Sequence, residues 1–456
     1  MKKIFLIFLL AGISKAGAQP LYFTEKELLG VITRFHPVAR QATIDIDRAS
    51  AGILAARGGF DPLFNSEASR KVFGGTAYYD YRSAEVSIPT WYGIELYAGQ
   101  ERISGARLNP EKTTGSVMYL GISVQPLQNL LMDKRRAVLL QAKNMQLLSE
   151  VQQRMVLNDL LKEGLYAYWD WWQQYHILQI VNDALQNSIN RFELVKAASL
   201  LGERPAIDTV EAYTQVQSFE IKRSEAVLQL YRARLELTAF LWTGEGSPAV
   251  LPENVMPGIQ VPATSFELQE ILFLAESHPE LAQYDYRLRN LQIEKRLTFQ
   301  ALLPDLKIRY NQAGYDLRKT IDGPWFQNNY RFGINLSIPL RLSEARGNYQ
   351  RTKLGIERTL LDQKQKQLEV LNKVRQYYQE NQQVLAQLNI QEQLLVNITA
   401  LQRGEEIKFR NGESSLFLLN ARELKRIETE QKLQELKAKA QKTGVALKWS
   451  AGLLGL

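Results

Sequence analysis

The chain has 456 residues, 45% apolar and 23% charged, with a formal net charge of +8. That balance excludes a disordered chain, and charges of both signs interspersed along helical stretches read as solvated faces rather than a nucleic-acid surface. The absence of cysteine excludes disulfides, thiolate metal sites and cysteine nucleophiles.

The N-terminus sets the compartment. Lys2 and Lys3 precede an apolar run over residues 4–13, and Ala16-Gly17-Ala18 supplies a small-residue cleavage site. Residues 1–18 therefore read as a secretory leader. Its removal with Lys2, Lys3 and Lys15 lowers the formal charge from +8 to +5. No cysteine follows the site, which excludes lipid attachment there. Beyond residue 20 no apolar run reaches the roughly 18 residues of a transmembrane helix. A membrane-crossing form of this chain must therefore be a β-barrel, the other structure that satisfies its backbone in lipid.

Thr24 and Glu27 stand at capping-box spacing and open a short helix over 24–34, broken by His36-Pro37. Helical composition returns over 38–57 and stops at Gly58-Gly59. Residues 63–126 then alternate with the period of strands: Met118, Leu120, Ile122 and Val124 against Tyr119, Gly121, Ser123 and Gln125. Ile94, Leu96 and Ala98 repeat the theme, as do Ala84, Val86 and Ile88. Turns fall at Gly74-Gly75, at 89–93 and at Asn109-Pro110. Tyr78, Tyr79, Tyr81, Trp91 and Tyr92 gather near the strand ends, where a membrane barrel carries its aromatic girdles.

A long helix is expected over 130–201, with Tyr166, Tyr168, Trp169, Trp171, Trp172 and Tyr175 as core where its bundle thickens. Gly202-Glu203-Arg204-Pro205 turns it, Pro205 suiting the first position of a return helix that runs to about 242. Residues 244–264, rich in glycine and proline, form a linker. A second short helix (266–277) is broken by His278-Pro279. A helix over 280–303, strands over 305–316 and 329–340 with a polar loop between, a long helix over 343–410, the turn Asn411-Gly412-Glu413 and a return helix over 415–449 complete the chain. At about 1.5 Å per residue each long helix approaches 100 Å, so it needs partners along its length.

The two halves repeat. His36-Pro37 and His278-Pro279 are offset by 242 residues, as are Pro62 and Pro304; Pro126 and Pro339 are offset by 213, and Gly202 and Gly412 by 210. The register slips only in the β region, where the first half is 29 residues longer. The repeats are 19–243 and 265–456, with barrel strands within about 63–126 and 305–340 and helical barrel segments at about 130–243 and 343–449. The 29 extra residues hold either an additional strand pair, with 89–93 as its inner turn, or a long external loop.

A leader, two copies of helix–strand–strand–long helix–helix, a His-Pro early in each copy and a proline at each strand-to-helix exit together resemble the TolC-like outer membrane efflux proteins. The resemblance covers essentially the whole mature chain. It implies an α+β membrane protein: a homotrimer with an outer membrane β-barrel, usually of twelve strands, continued by a periplasmic α-helical barrel in a Gram-negative type envelope. It implies a passive exit duct with no catalytic residues and no cofactor or metal. Its partners would be a periplasmic adaptor (membrane fusion) protein and an inner-membrane transporter of RND, ABC or MFS type. A type I protein secretion duct is a second use of the same architecture. A soluble periplasmic coiled-coil scaffold is the reading outside transport.

The site expectations follow. Gly202, Glu203 and Arg204 with Asn411, Gly412, Glu413 and Ser414 form the hairpin tips that the resemblance assigns to adaptor docking. Family members carry acidic residues six and nine positions after the turn glycine; Asp208 and Glu211 match after Gly202, whereas Leu418 and Ala421 depart after Gly412. The expected constriction is an acidic ring of Asp208 and Glu211 with an apolar girdle of Leu416, Phe417 and Leu418. No H-E-x-x-H, Walker A, G-x-S-x-G or Rossmann pattern is present. Of the three histidines, His36 and His278 sit at the equivalent breaks and His176 lies in the first long helix.

Overall fold

The structure is a computed structural model and describes residues 21–108, 112–258 and 267–455. The expected leader, the Asn109-Pro110 turn and residues 259–264 of the linker lie outside the described residues. In chain order the elements are β1 (Leu21–Phe23), α1 (Glu25–Phe35), α2 (Pro37–Arg57), β2 (Leu63–Phe73), β3 (Thr76–Pro89), β4 (Ile94–Ser104), β5 (Gly115–Val124), α3 (Lys134–Leu200) and α4 (Ala206–Thr238). They continue with β6 (Val255–Pro257), α5 (Leu268–Ala275), α6 (Pro279–Gln300), β7 (Asp305–Gly314), α7 (Leu317–Asp322), β8 (Tyr330–Ser337), α8 (Ser343–Arg410) and α9 (Leu416–Ser450). Helices α3 and α8 have 67 and 68 residues, and each repeat runs helix, helix, strands, long helix, return helix. The chain divides into two compact units. One holds the described parts of Met1–Arg40, Val156–Glu276 and Val370–Leu456; the other holds Gln41–Met155 and Ser277–Glu369.

The second unit contains an antiparallel sheet of order β2-β3-β4-β5-β7-β8. The first repeat supplies four strands and the second supplies two, which accounts for the extra length in the first half. Strand alternation sorts the side chains by face. Ile88, Leu96, Ile122, Tyr310 and Phe332 are register partners across five strands, as are Ile94, Val124, Ile308 and Ile334 across four. The other face carries Glu85, Tyr97, Tyr119, Arg309 and Asn311, joined by hydrogen bonds and by a cation–ring contact at Tyr97. Tyr119 donates to Glu85 at 2.6 Å, and Arg309 bonds Glu85 at 2.6 Å and stacks 4.0 Å over the Tyr97 ring. One face is thus apolar over these rows and the other polar and charged.

The chain leaves β5 through a clasp. Asp133 accepts from the Arg136 backbone at 2.8 Å and from its Nε at 3.1 Å, while Arg136 Nη1 donates to the Leu130 carbonyl at 2.8 Å. Asn129 adopts φ +62°, and its carbonyl stands 2.8 Å from where a Cβ on Gly93 would lie. Gly93 lets the β3–β4 turn approach this exit.

The first unit is helical apart from a short parallel pair, β1 with β6, that the sequence did not announce. Tyr168 joins the pair, donating to the Phe23 carbonyl at 3.0 Å and accepting from the Gly258 amide at 3.2 Å. Around it Leu28, Ile32, Trp169, Trp171, Trp172 and Leu237 form the largest core. The aromatic run on α3 is therefore packing. The capping box forms as expected: Glu27 N–H bonds Thr24 Oγ1 at 3.3 Å and Thr24 N–H bonds Glu27 Oε2 at 2.8 Å.

The two His-Pro pairs share one mechanism. His36 Nδ1 accepts from the Val38 amide at 3.2 Å, and His278 Nδ1 accepts from the Glu280 amide at 3.0 Å. Each imidazole caps the helix that its following proline begins.

Three local expectations are corrected. Pro205 precedes α4 as its N-cap instead of occupying its first turn. Helix α4 stops at Thr238 rather than 242, because Trp242 bridges to Pro248 across a turn closed by Thr243 and Ser247. The polar loop between β7 and β8 contains α7, capped by Asp316, whose carboxylate accepts from the Lys319 amide at 2.8 Å.

Two tests follow. Trp171 is 1% exposed, so Trp171→Ala should cost about 3–5 kcal/mol in a thermal or urea melt. Burial lowers the pKa of His36, and burial followed by the Lys437 charge lowers that of His176. Below the ordinary value of 6.5 the unfolded chain takes up protons that these folded imidazoles refuse. Stability is therefore present above pH 6.5 and lost as pH falls beneath it. The melting temperature should drop between about pH 7 and pH 5. His36→Asn, which keeps a capping acceptor but cannot titrate, should flatten that drop.

Candidate functional site

The hairpins α3–α4 and α8–α9 end in the same backbone device. After α3, the Glu203 amide bonds the Ala198 carbonyl at 2.9 Å and the Gly202 amide bonds that of Ser199 at 3.1 Å. After α8, Glu413 bonds Lys408 at 2.9 Å and Gly412 bonds Phe409 at 3.2 Å. This is the Schellman arrangement. It places Gly202 at φ +77° and Gly412 at φ +80°, a region that side chains with a Cβ rarely adopt. Ser415 then caps α9, its Oγ accepting from the Leu418 amide at 3.3 Å.

Arg204 binds the hairpins to each other. Its guanidinium lies 3.9 Å over the Phe409 ring, donates to the Phe409 carbonyl at 3.4 Å and pairs with Asp208 at 3.4 Å. Seven residues away from Arg204, Glu211 accepts from Asn420 at 3.5 Å. Asn420 in turn accepts from Arg191 at 3.0 Å, and Arg191 holds Glu423 with two hydrogen bonds of 2.5 and 3.0 Å. Glu423 is 1% exposed. Its charge is supported by a bidentate arginine rather than by water, a strong geometry for a carboxylate.

The structure distributes the expected site residues unevenly. Asp208 and Glu211 lie on one side of α4, half-buried, each with a partner from its own chain. Leu416 is 2% exposed and packs against Val195, Ala212, Phe192 and Phe409, so it is core and not part of an apolar girdle. Phe417 and Leu418 are exposed at 67% and 46%. At the turns Gly202, Glu203, Asn411, Gly412 and Glu413 are open to solvent. Arg204 is committed to its clamp, and Ser414 donates to Glu405. Arg191, Phe409, Asn420 and Glu423 complete the assembly without having been expected. Arg191 and Glu423 lie 232 positions apart, and only folding puts a buried carboxylate beside that arginine.

Among the described residues, no group of three or more His, Asp or Glu is placed to hold a metal. No described helix is long and apolar enough to cross a membrane. Removing one partner of the buried ion pair leaves the other uncompensated, so Glu423→Ala should destabilise by about 3–5 kcal/mol. Combining Arg191→Met with Glu423→Leu should recover most of that loss in the same melt.

Residues 273–452 match the family model described as outer membrane efflux protein. No curated protein sequence matches the chain. Several solved structures share its fold. The channel-forming protein CusC matches with a TM-score of 0.66 and 16% identity over 97% of this chain and 95% of its own. The outer membrane channel CmeC of Campylobacter jejuni matches at 0.66 with 13% identity over 95% of this chain and 86% of its own. The outer membrane protein VceC of Vibrio cholerae matches at 0.66 with 14% identity over 94% of this chain and 96% of its own. Residues 273–452 thus carry the outer membrane efflux protein pattern, and nearly the whole chain has the fold of the outer membrane channels to which it is similar.

Proposed function

We propose that this protein is the outer membrane exit duct of a tripartite efflux or export system. It passively conducts substrates that an inner-membrane pump and a periplasmic adaptor deliver, and releases them outside the cell. The observation that carries this reading is the two-faced sheet. Its apolar face suits lipid and its charged face suits a water-filled interior, a combination that a periplasmic scaffold has no use for. In this reading residues 1–18 are removed on export, and 19–243 and 265–456 form the two repeats joined by the 244–264 linker. Three copies associate, their sheets in the outer membrane and their helices in the periplasm.

The hairpin ends are the closing and docking parts. The exposed Glu203, Asn411 and Glu413 and the turns that carry them meet the adaptor. Three copies of Asp208 and Glu211 supply the acidic ring, and Phe417 and Leu418 the apolar collar. Arg204 and the Arg191–Asn420–Glu423 assembly keep the two hairpins of one protomer together, so that opening moves them as a pair. A ring of carboxylates favours cations and binds multivalent ones most strongly. Secretion of a polypeptide through the same duct requires no different residue in this chain; the identity of the inner-membrane partner separates the two uses.

Membrane fractionation should place the protein with the outer membrane, as a trimer that dissociates on heating in detergent; a soluble monomer contradicts the duct. In planar bilayers, Asp208→Asn with Glu211→Gln should weaken block by a multivalent cation by about tenfold, equivalent to about 1.4 kcal/mol. Unchanged block and conductance would remove these carboxylates from the aperture.

A further inference from the structure

We infer that all six strands of the sheet cross the outer membrane, so that β3 and β4 are part of the barrel wall and not of a loop outside the lipid. The inference rests on the duct reading above. Three copies of the six-stranded sheet then close a barrel of eighteen strands.

The face pattern of β3 and β4 is the first support. On β3 the apolar-face positions are Ile88, Val86 and Ala84; on β4 they are Ile94, Leu96 and Ala98. They lie in the same rows as the apolar residues of β5, β7 and β8. Successive outward positions are about 6.8 Å apart along a strand. On β4 the next position of this face is the polar Gln100, opposite Ala84, and one step beyond it Arg82 and Arg102 are direct register partners. Two arginines opposed in this way repel each other across the pair. That arrangement suits the polar edge of a lipid layer. A free external loop needs no such band.

The opposite face is the second support. Tyr119 of β5 lies flat across β4 to reach Glu85 of β3. Only a glycine permits this, since a Cβ on Gly99 would stand 2.5 Å from the Tyr119 hydroxyl. Arg309 of β7 reaches the same Glu85 at 2.6 Å and stacks over Tyr97 of β4. Glu95 of β4 is held by Tyr97 and by Arg135 at the start of α3. The strands β3 and β4 are therefore braced to β5, β7 and α3 by charged hydrogen bonds. To exclude them, β2 would have to abandon its register with β3, from Leu63 against Ser87 to Phe73 against Thr76, and pair with β5 instead.

The edges are the third support. Among the described residues β2 bonds only β3, and β8 bonds only β7, with β8 exposed along its whole length and β2 at all but one position. Six alternating strands leave β2 and β8 running in opposite directions. The β8 of one copy therefore meets the β2 of the next as an antiparallel pair, and every edge is satisfied when the third copy closes the ring.

Barrel diameter grows roughly linearly with strand number, so eighteen strands give a wall about one and a half times as wide as twelve. A barrel of that size leaves an aqueous channel that side chains do not fill. The inner-face residues then line a wide exit, and closure is left to the hairpin ends.

The test is single-particle cryo-electron microscopy of the full protein from outer membranes. Eighteen crossing strands, with β8 beside the β2 of a neighbouring copy, is the expected result. A trimer with a twelve-strand barrel and β3–β4 outside the lipid overturns the inference and leaves the duct intact; a particle without a barrel overturns both. Because the chain lacks cysteine, disulfide trapping gives a second readout. Ala68→Cys on β2, combined in turn with Phe332→Cys, Ile334→Cys or Leu336→Cys on β8, should yield covalent dimers and trimers in at least one pairing. A disulfide within one chain between Ala68→Cys and Leu120→Cys of β5 would show β3–β4 displaced from the wall.

Discussion

Backbone amides and carbonyls in hydrocarbon have no water to bond, and this constraint organises the protein. A sheet with one apolar face is held at that face by lipid but is left with two open edges. In the proposed duct those edges are met by further copies of the same chain. The clasp at Asn129, Asp133 and Arg136 fixes how the chain passes from β5 into α3. The sheet is thereby joined directly to the start of a 67-residue helix.

In the helical hairpins the controlling interactions are charged. Helix turns with a left-handed glycine reverse the chain in five residues, which brings α4 beside α3 and α9 beside α8. Within that space Glu423 is buried against Arg191, and Arg204 stacks on Phe409 of the opposite hairpin. A buried ion pair contributes little net stability compared with apolar packing of similar volume, but it tolerates few alternative arrangements. It suits a part that moves between defined positions better than a uniformly apolar seam does. Phe417 and Leu418 stay exposed at the start of the same helix.

The repeat explains why such a chain can be assembled from simple parts. His36 and His278 perform the same capping task 242 residues apart, and Gly202 and Gly412 the same turn 210 residues apart. Divergence is concentrated where the copies face different surroundings. The first repeat has two more strands, and it alone carries the Asp208 and Glu211 pair. The second has Leu418 and Ala421 at those positions. The repeat supplies the frame, and asymmetry between the halves supplies the candidate site.

Much of this was legible in the residues because it is local. Period-two alternation marked the strands, Gly74-Gly75 and 89–93 marked their turns, and the capping box and His-Pro pairs marked helix starts. The long helix over 343–410 was bounded by the same residues that the structure uses. What the sequence could not disclose depends on separation along the chain. The β1–β6 pair joins residues more than two hundred positions apart. Whether the extra length in the first half formed strands or a loop was decided by pairing across Gly99 and by the reach of Arg309 to Glu85. Leu416 looked like one of three equivalent apolar residues, but a helix presents neighbouring positions to different sides. Tertiary packing turned Leu416 into core and left Phe417 and Leu418 outside. Residue type and spacing determined the elements, their order and their faces; only the fold decided which charges were paired and which surfaces stayed open, because desolvation depends on neighbours that the linear chain does not specify.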